Sequence, residues 1–477
     1  MEAPAPASPP PAPPDAPTLT AVTPSRPIPR FPGHFLTGNL SGFRHDRLKL
    51  FRDIKETCGE IGTLRVGPLP ITVVTSGTIA HSLLHHHAND VDGGPLVKTF
   101  IPLVGERSLV LLHGPQHRKQ RKLLAPSFQR EQLAHFTQTM VQYTLDAIAG
   151  WRDGQEFDVH DEMATLTMRI IGKTLFDVDY RHETNELLGA MGHALQHIEY
   201  LTSSLVQIPL SWPTPRNKRV REALRTIDTT FRGMIRQRRV DHGQRKDMLS
   251  SLVQVRDEEG QPISEDQLHN DLMTIYAGHE STALSLGWTW YLLARHPEVL
   301  ARVRQEVDTV LGGRPPAFED LPQLRYTLQV IKESLRLYPV IFMLARAPTK
   351  DLDIAGYRLA KGQMVLMPPY IIHRDATFFP DPERFDPDRF RPELEKQLPR
   401  YAWFPFGAGP HTCIGNHFAM MEKQLIVATM VQRLNVELID DKELLPEVLT
   451  VTLRPSHLKM RVRHREDATT RDASKVA

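Results

Sequence analysis

The sequence predicts a mainly α-helical protein with small β-sheets, and two observations predict it. Apolar residues recur at helical spacing over about 115–150, 160–176, 215–240, 264–295, 297–311 and 325–338, each run ended by Pro or Gly signals. Strand-like patterns are confined to short pieces near 62–74 and 340–368. The chain has 477 residues, roughly three times a usual domain, which fits either several small domains or one large one.

Taken in order, residues 1–32 hold 12 of the 39 prolines, and proline lacks an N–H and fixes φ, so this stretch reads as an extended, disordered tail. The folded domain is expected over 33–463. Gly62–Val66 and Ile71–Val74 read as a hairpin turned by Gly67-Pro68. The helical runs follow, then the strand-like pieces Asp353–Tyr357 and Gly362–Leu366, then a Pro/Asp-rich stretch from Pro380 to Pro392. A last helix is expected near Cys413, and 464–477, charged and poor in apolar residues, as a flexible C-terminal tail. No internal repeat is present.

Composition excludes several classes of function. Lys plus Arg number 58 and Asp plus Glu 56, with no sustained basic block, so a nucleic-acid partner is not expected. Only Cys58 and Cys413 are present, too few for a disulfide framework, which points to a reducing, cytoplasmic setting. No window reaches the roughly 18 apolar residues of a spanning helix, and no secretory signal core is visible, so no membrane anchor is expected.

The densest chemical signal is Phe406-Gly407-Ala408-Gly409-Pro410-His411-Thr412-Cys413-Ile414-Gly415, a glycine-rich loop running into a helix. A cysteine before a helix N-terminus is favoured as the thiolate, and a thiolate can ligate iron. Glycines at 407, 409 and 415 let the backbone approach a flat cofactor and take φ > 0. The plain alternative is a buried cysteine beside a flexible loop. The pattern Phe, two residues, Gly, one residue, a basic residue, one residue, Cys, one residue, Gly resembles the haem-binding signature of the cytochrome P450 family. His411 stands where that family usually has arginine.

The resemblance implies the family's fold: a single large domain with the haem, haem b, between a distal helix and the cysteine loop. Cys413 is then the axial ligand of the haem iron, Phe406 shields the sulfur and Gly415 lies against the cofactor. Glu333 and Arg336, three apart on one helix face, and Arg384 of Pro382-Glu383-Arg384-Phe385 follow the family's order and would form a buried structural triad. Glu222 and Arg225 have the same spacing, which shows how little that spacing says alone. Ala277-Gly278-His279-Glu280-Ser281-Thr282 is similar to the distal helix, with Ala277 beside the cofactor and Glu280 with Ser281, or else Thr282, relaying protons. His117 and Arg121, Arg346 and His411 match propionate-binding positions, His117 replacing the common tryptophan; the planar arginine fork suits a carboxylate. A substrate pocket is expected from Phe100, Ile101, Met273, Val340, Ile341 and Phe342.

The implied activity is a haem-dependent monooxygenase that takes O2 and two external electrons and hydroxylates or epoxidises a lipophilic small molecule, such as a fatty acid or terpenoid. Its implied partners are a ferredoxin or flavodoxin with an NAD(P)H reductase, and the protein is expected as a monomer. A basic face of Arg118, Lys119 and Lys122 is expected either to dock the acidic donor or to be plain solvated surface. A haem-thiolate peroxide isomerase, lyase or peroxygenase, needing no redox partner, and a haem sensor are the alternatives. His85-His86-His87 lacks carboxylate or cysteine partners at ligand spacing and reads as solvated.

Overall fold

The computed structural model describes residues 26–178, 184–203, 207–241, 247–257, 259–440 and 443–465. Its principal helices are α1 (Arg47–Cys58), α2 (Gly114–Leu124), α3 (Arg130–Gly150), α4 (Val159–Phe176), α5 (Thr184–Ser203), α6 (Pro215–Val240), α7 (Glu265–Tyr276), α8 (Gly278–Arg295), α9 (Pro297–Leu311), α10 (Arg325–Leu337) and α11 (Asn416–Arg433). Its strands are β1 (Ile61–Val66), β2 (Leu69–Val74), β3 (Val91–Asp92), β4 (Glu156–Asp158), β5 (Leu344–Pro348), β6 (Leu352–Ile354), β7 (Tyr357–Leu359), β8 (Met364–Met367), β9 (Leu434–Leu438), β10 (Pro446–Leu449), β11 (Thr452–Pro455) and β12 (Lys459–His464).

The helices start where side chains satisfy orphan N–H groups. Asp46 accepts from the Lys49 amide before α1, Asp158 from the His160 and Asp161 amides before α4, and Ser264 from the Gln267 amide before α7. The expected run 115–150 is divided into α2 and α3 by a tight turn at Ala125–Phe128 and an extended Gln129. Pro126, with no N–H to give, sits in that turn. Helix α5 was not foreseen: Gly189 and Gly192 lie inside it, and glycine weakens the helical signal. The expected run 264–295 is interrupted at Ala277, between α7 and α8. There Gly278 has no side chain and its carbonyl is taken by the Ser281 hydroxyl at 2.8 Å, a bond that competes with the helical ladder.

The hairpin β1–β2 pairs Val66 with Leu69 across Gly67, at φ 59°, and belongs to a five-stranded sheet of order β1-β2-β8-β5-β3 in which β8 runs parallel to β2. Asp353–Tyr357, expected as one strand, instead spans the end of β6, the turn Ala355-Gly356 and the start of β7. The domain boundary at 33 also shifts. Arg30 and Phe31 bridge to β1, Phe31 donating to the Thr63 carbonyl, Arg26 donates to the Gly356 carbonyl between β6 and β7, and His464 belongs to β12. The remainder of both expected tails lies outside the described residues.

One core joins α3, α8, α9, α10 and α11 around the fully buried Trp288, whose ring stacks on Tyr338 at 3.8 Å. A second joins α4, α5, α6 and α7, and a third lies between α1 and the five-stranded sheet. Helix α8 packs against α4, α9, α10 and α11 and so carries its first turn into the middle of the domain. No helix among the described residues is long and apolar enough to cross a membrane.

Candidate active site

The cysteine loop enters α11 at Asn416, three residues beyond Cys413. The Cys413 amide donates to the Phe406 carbonyl at 2.9 Å, and Arg121 reaches from α2 to the Thr412 carbonyl at 2.6 Å. Gly407 and Gly409 have φ of 74° and 68°. A Cβ on Gly409 would lie 1.9 Å from the Leu84 carbonyl oxygen, so only glycine fits. Gly415 differs from expectation: its φ is −89° and it serves as the helix cap. Cys413 shows accessible surface although protein surrounds it on nearly every side, so that surface faces an internal hollow. Burial pushes its thiol up, against the Gly415 amide and the charges of Arg121 and Lys423, which pull it down. The helix N-terminus alone does not make the thiolate; a bound metal would.

A cluster of neutral histidines with Arg121 and Arg346 lies on one side of this loop. The rings of His117 and His411 are 3.9 Å apart and those of His113 and His411 5.4 Å. Burial, then Arg121, holds His117 down to about 4, and burial, then Arg346, holds His411 down to about 2. Arg346 tests whether a cofactor fits. Its guanidinium donates to the Ala345 carbonyl at 2.8 Å, no carboxylate pairs with it among the described residues, and burial pushes it down to about 10. The charge of Asp92 acts on it without a direct ion pair, so a largely enclosed guanidinium is left able to take an anion beside it. Carboxylates on a flat group bound at Cys413 would supply one, so these residues fit haem.

On the distal side, the Ser281 side chain is half-buried at the α7–α8 interruption, whereas Thr282 is only 4% exposed. Glu280 is held by a residue that sequence spacing could not find: His160, in the first turn of α4, whose Nε2 lies 2.8 Å from Glu280 Oε1. Burial would raise Glu280, but the His160 bond and charge outweigh it and hold the carboxyl below its ordinary value. Reciprocally, Glu280 lifts His160 above its ordinary value against burial. His279 Nδ1 meets the Tyr276 carbonyl at 2.6 Å inside the core.

Glu333 and Arg336 are both fully buried and joined by two hydrogen bonds of 2.7 and 2.8 Å. Arg336 also donates to the carbonyls of His373, Pro382 and Arg384, and Glu333 accepts from the Asp386 amide. The expected third member is corrected. The Arg384 side chain is exposed and only its carbonyl takes part; the guanidinium facing Glu333, at 3.4 Å, is that of Arg389. Pro387-Asp388-Arg389-Phe390 repeats the pattern of Pro382–Phe385 five residues later, and burial decides between them.

The expected pocket divides. Phe342 and Met273 have no accessible surface and belong to core clusters, so these two are packing residues and not walls of the hollow, while Val340 keeps 5% of its surface. Phe100, Ile101 and Ile341 keep partial exposure. The basic face on α2 is also altered: Lys119 pairs with Asp257 at 3.4 Å and Glu259 at 3.1 Å, and Arg118 bonds Asn89.

The family model described as Cytochrome P450 matches residues 28–462. Pentalenene oxygenase of Streptomyces avermitilis is 33% identical over 410 residues, 85% of this chain and 90% of that protein. Cyclooctat-9-en-7-ol 5-monooxygenase of Streptomyces melanosporofaciens is 35% identical over 381 residues, 79% of this chain and 82% of its own length. The crystal structure of the cytochrome P450DA heme domain superposes with a TM-score of 0.86 at 26% identity, covering 93% of this chain and 98% of that one. Agreement of that extent takes in nearly every described residue, the cysteine loop and the kinked polar helix included, and the chain therefore belongs to the cytochrome P450 family of haem-dependent monooxygenases.

Proposed function

We propose that this monooxygenase hydroxylates or epoxidises a lipophilic, terpenoid-like molecule on haem b, with electrons from a ferredoxin or flavodoxin and its NAD(P)H reductase, as a cytoplasmic monomer. The observation that carries the substrate class is the likeness, at about a third identity over most of the chain, to relatives named for oxidising pentalenene and cyclooctat-9-en-7-ol. The partly exposed apolar side chains of Phe100, Ile101 and Ile341 suit such a molecule, because binding follows apolar area while a few polar groups set orientation.

When bound, haem supplies the iron at which dioxygen is activated, with the thiolate pushing electron density toward it. The chain's residues do the rest. Cys413 would hold the iron, and Phe406 would keep water from the sulfur. Arg346, Arg121, His411 and His117 would hold the propionates, Arg121 while also fixing the loop through Thr412. Ala277 and Gly278, with their minimal side chains, leave room beside the interruption. Glu280 takes a proton from His160, and the Ser281 hydroxyl, half-buried where Thr282 is enclosed, hands it inward. Lys119's ion pairs leave Arg118 as the more available cation of the α2 face for an acidic donor.

The test is a screen for haem spin-state change across terpenes, fatty acids and steroids, followed by turnover of the binders with ferredoxin, reductase, NAD(P)H and O2. Terpenes alone should bind and be oxygenated. Binding confined to fatty acids would overturn the substrate class, and product from hydroperoxide but none from the reductase chain would favour a peroxygenase.

A further inference from the structure

Lys423 is buried where a lysine ordinarily is not. It lies in the third turn of α11 and is only 2% exposed, whereas lysines usually carry their ammonium group out to water. Helical side chains lean toward the N-terminus, and here that direction leads back to the cysteine loop. The Lys423 Nζ lies 5.2 Å from the centre of the Phe406 ring and 3.3 Å from the Ser285 hydroxyl of α8. Phe406 in turn accepts the Cys413 amide through its carbonyl. The lysine therefore sits behind the residue proposed to shield the sulfur, bridging the distal helix and the cysteine loop.

The surroundings favour a cation. An aromatic face attracts an ammonium group, and the serine oxygen accepts one of its three N–H bonds. Among the described residues no carboxylate pairs with Lys423; Glu422 acts on it through its charge alone. Glu422, adjacent in sequence, diverges by about 100° around the helix, and its Oε1 has no partner. Burial pushes Lys423 down to about 7 and Glu422 up to about 8. The ionisable groups acting on Lys423 are Glu422 on its own helix and Cys413 on the loop, both favouring its charged form. From α8 it meets the neutral Ser285. An iron-bound sulfur stays ionised, so the anion facing Lys423 is permanent in the loaded protein.

We propose that Lys423 is a built-in cation that draws electron density from the Cys413 thiolate and so raises the reduction potential of the haem. This rests on Cys413 being the iron ligand. Reduction adds one negative charge to the haem–thiolate unit, and a nearby buried positive charge favours that state because the low-dielectric interior screens it little. The same charge weakens the sulfur's donation. Lys423 is thus a tuning residue that touches neither substrate nor iron: it eases reduction by the electron donor at the expense of some push.

The experiment is a spectroelectrochemical titration of substrate-free holoprotein, beside the C–O stretch of its ferrous carbonyl complex, for wild type, Lys423→Met and Ser285→Ala. Methionine keeps the unbranched stem and removes the charge. Lys423→Met should shift the midpoint to more negative potential and the C–O stretch to lower wavenumber, since a stronger donor increases back-bonding. The wild-type midpoint should also fall as pH rises through neutrality, a slope that Lys423→Met reduces to the part Glu422 contributes at higher pH. Ser285→Ala, losing the acceptor that favours the ammonium, should move that slope to lower pH. A wild-type midpoint and C–O stretch in Lys423→Met would overturn the proposal. If Lys423→Met does not retain haem, Ser285→Ala decides, and an unmoved pH slope overturns it. A wild-type carbonyl complex without the red-shifted Soret band of thiolate ligation would instead remove the Cys413 assignment on which the proposal stands.

Discussion

The Glu333–Arg336 region and the hollow before Cys413 are both buried and highly charged, yet they are built on opposite principles. Around Arg336 the protein supplies the partners itself: one carboxylate and three carbonyls, with neither Glu333 nor Arg336 showing accessible surface. Around Cys413 it leaves an arginine without a directly paired carboxylate, histidines pushed far below their ordinary values and a thiol pushed up. The first region is complete as protein; the second is complete only with an anionic, metal-bearing group. Paired buried charge marks scaffold, and unpaired buried charge marks a binding site.

The contrast can be broken most severely at its scaffold end. Arg336→Leu should destabilise the holoprotein by about 3–5 kcal/mol, since it strands the Glu333 carboxylate. Arg384→Ala, whose side chain is exposed, should change stability by about 0.5 kcal/mol or less. Urea unfolding of the two variants checks both values, and equal losses would contradict the replacement of Arg384 by Arg389 in the triad.

At the hollow the loss should fall on the cofactor. Arg346→Leu should fold with near wild-type stability as apoprotein but release haem faster by about 10–100-fold, the worth of one charge-assisted hydrogen bond. Haem transfer to a scavenging apo-globin measures the rate. Ser281→Ala should raise the fraction of reductant lost as peroxide by on the order of tenfold, while Thr282→Ala changes it little. NAD(P)H consumed against product formed gives that ratio, and the reverse ranking would move the relay to Thr282.

The smallest expected effect is the most specific. The His160 pKa is raised, so its contribution to stability is fully present below its ordinary value of 6.5 and fades as pH rises through the folded value. The Glu280 pKa is lowered, so its contribution is fully present above 4.5 and fades as pH falls through the folded value. The stability gap between wild type and His160→Leu, about 1–2 kcal/mol, should therefore be widest between pH 4.5 and 6.5 and shrink on either side. Thermal melts across that range test it; a gap independent of pH would show that the ring acts through packing alone.

Local chemistry was legible in the sequence, and pairing at a distance was not. The cysteine loop, the Glu333–Arg336 spacing and the small, polar stretch of the distal helix are contiguous patterns, and each lies where its residues create a local requirement: a glycine with positive φ, an i,i+3 pair, a helix that loses a ladder bond. His160 and Glu280 are 120 residues apart, so nothing local joins them. Arg384 and Arg389 carry the same motif, and only burial distinguishes them. Met273 and Phe342 are as apolar as any pocket wall, and hydrophobicity does not tell a wall from the core behind it. Lys423 carries no signal at all, because lysine in a helix is ordinarily surface.

The Gly409 contact with Leu84 also bears on how the protein is made. The loop that carries the proposed iron ligand seats against a turn from the first quarter of the chain and against His117 and Arg121 of α2. During synthesis those surfaces leave the ribosome long before Cys413 does, and they wait, charged and unfilled, for the last part of the domain. The cradle can close only after Cys413 has been made, which places haem capture after the synthesis of both halves of the site and leaves chains truncated before Cys413 unable to hold the cofactor.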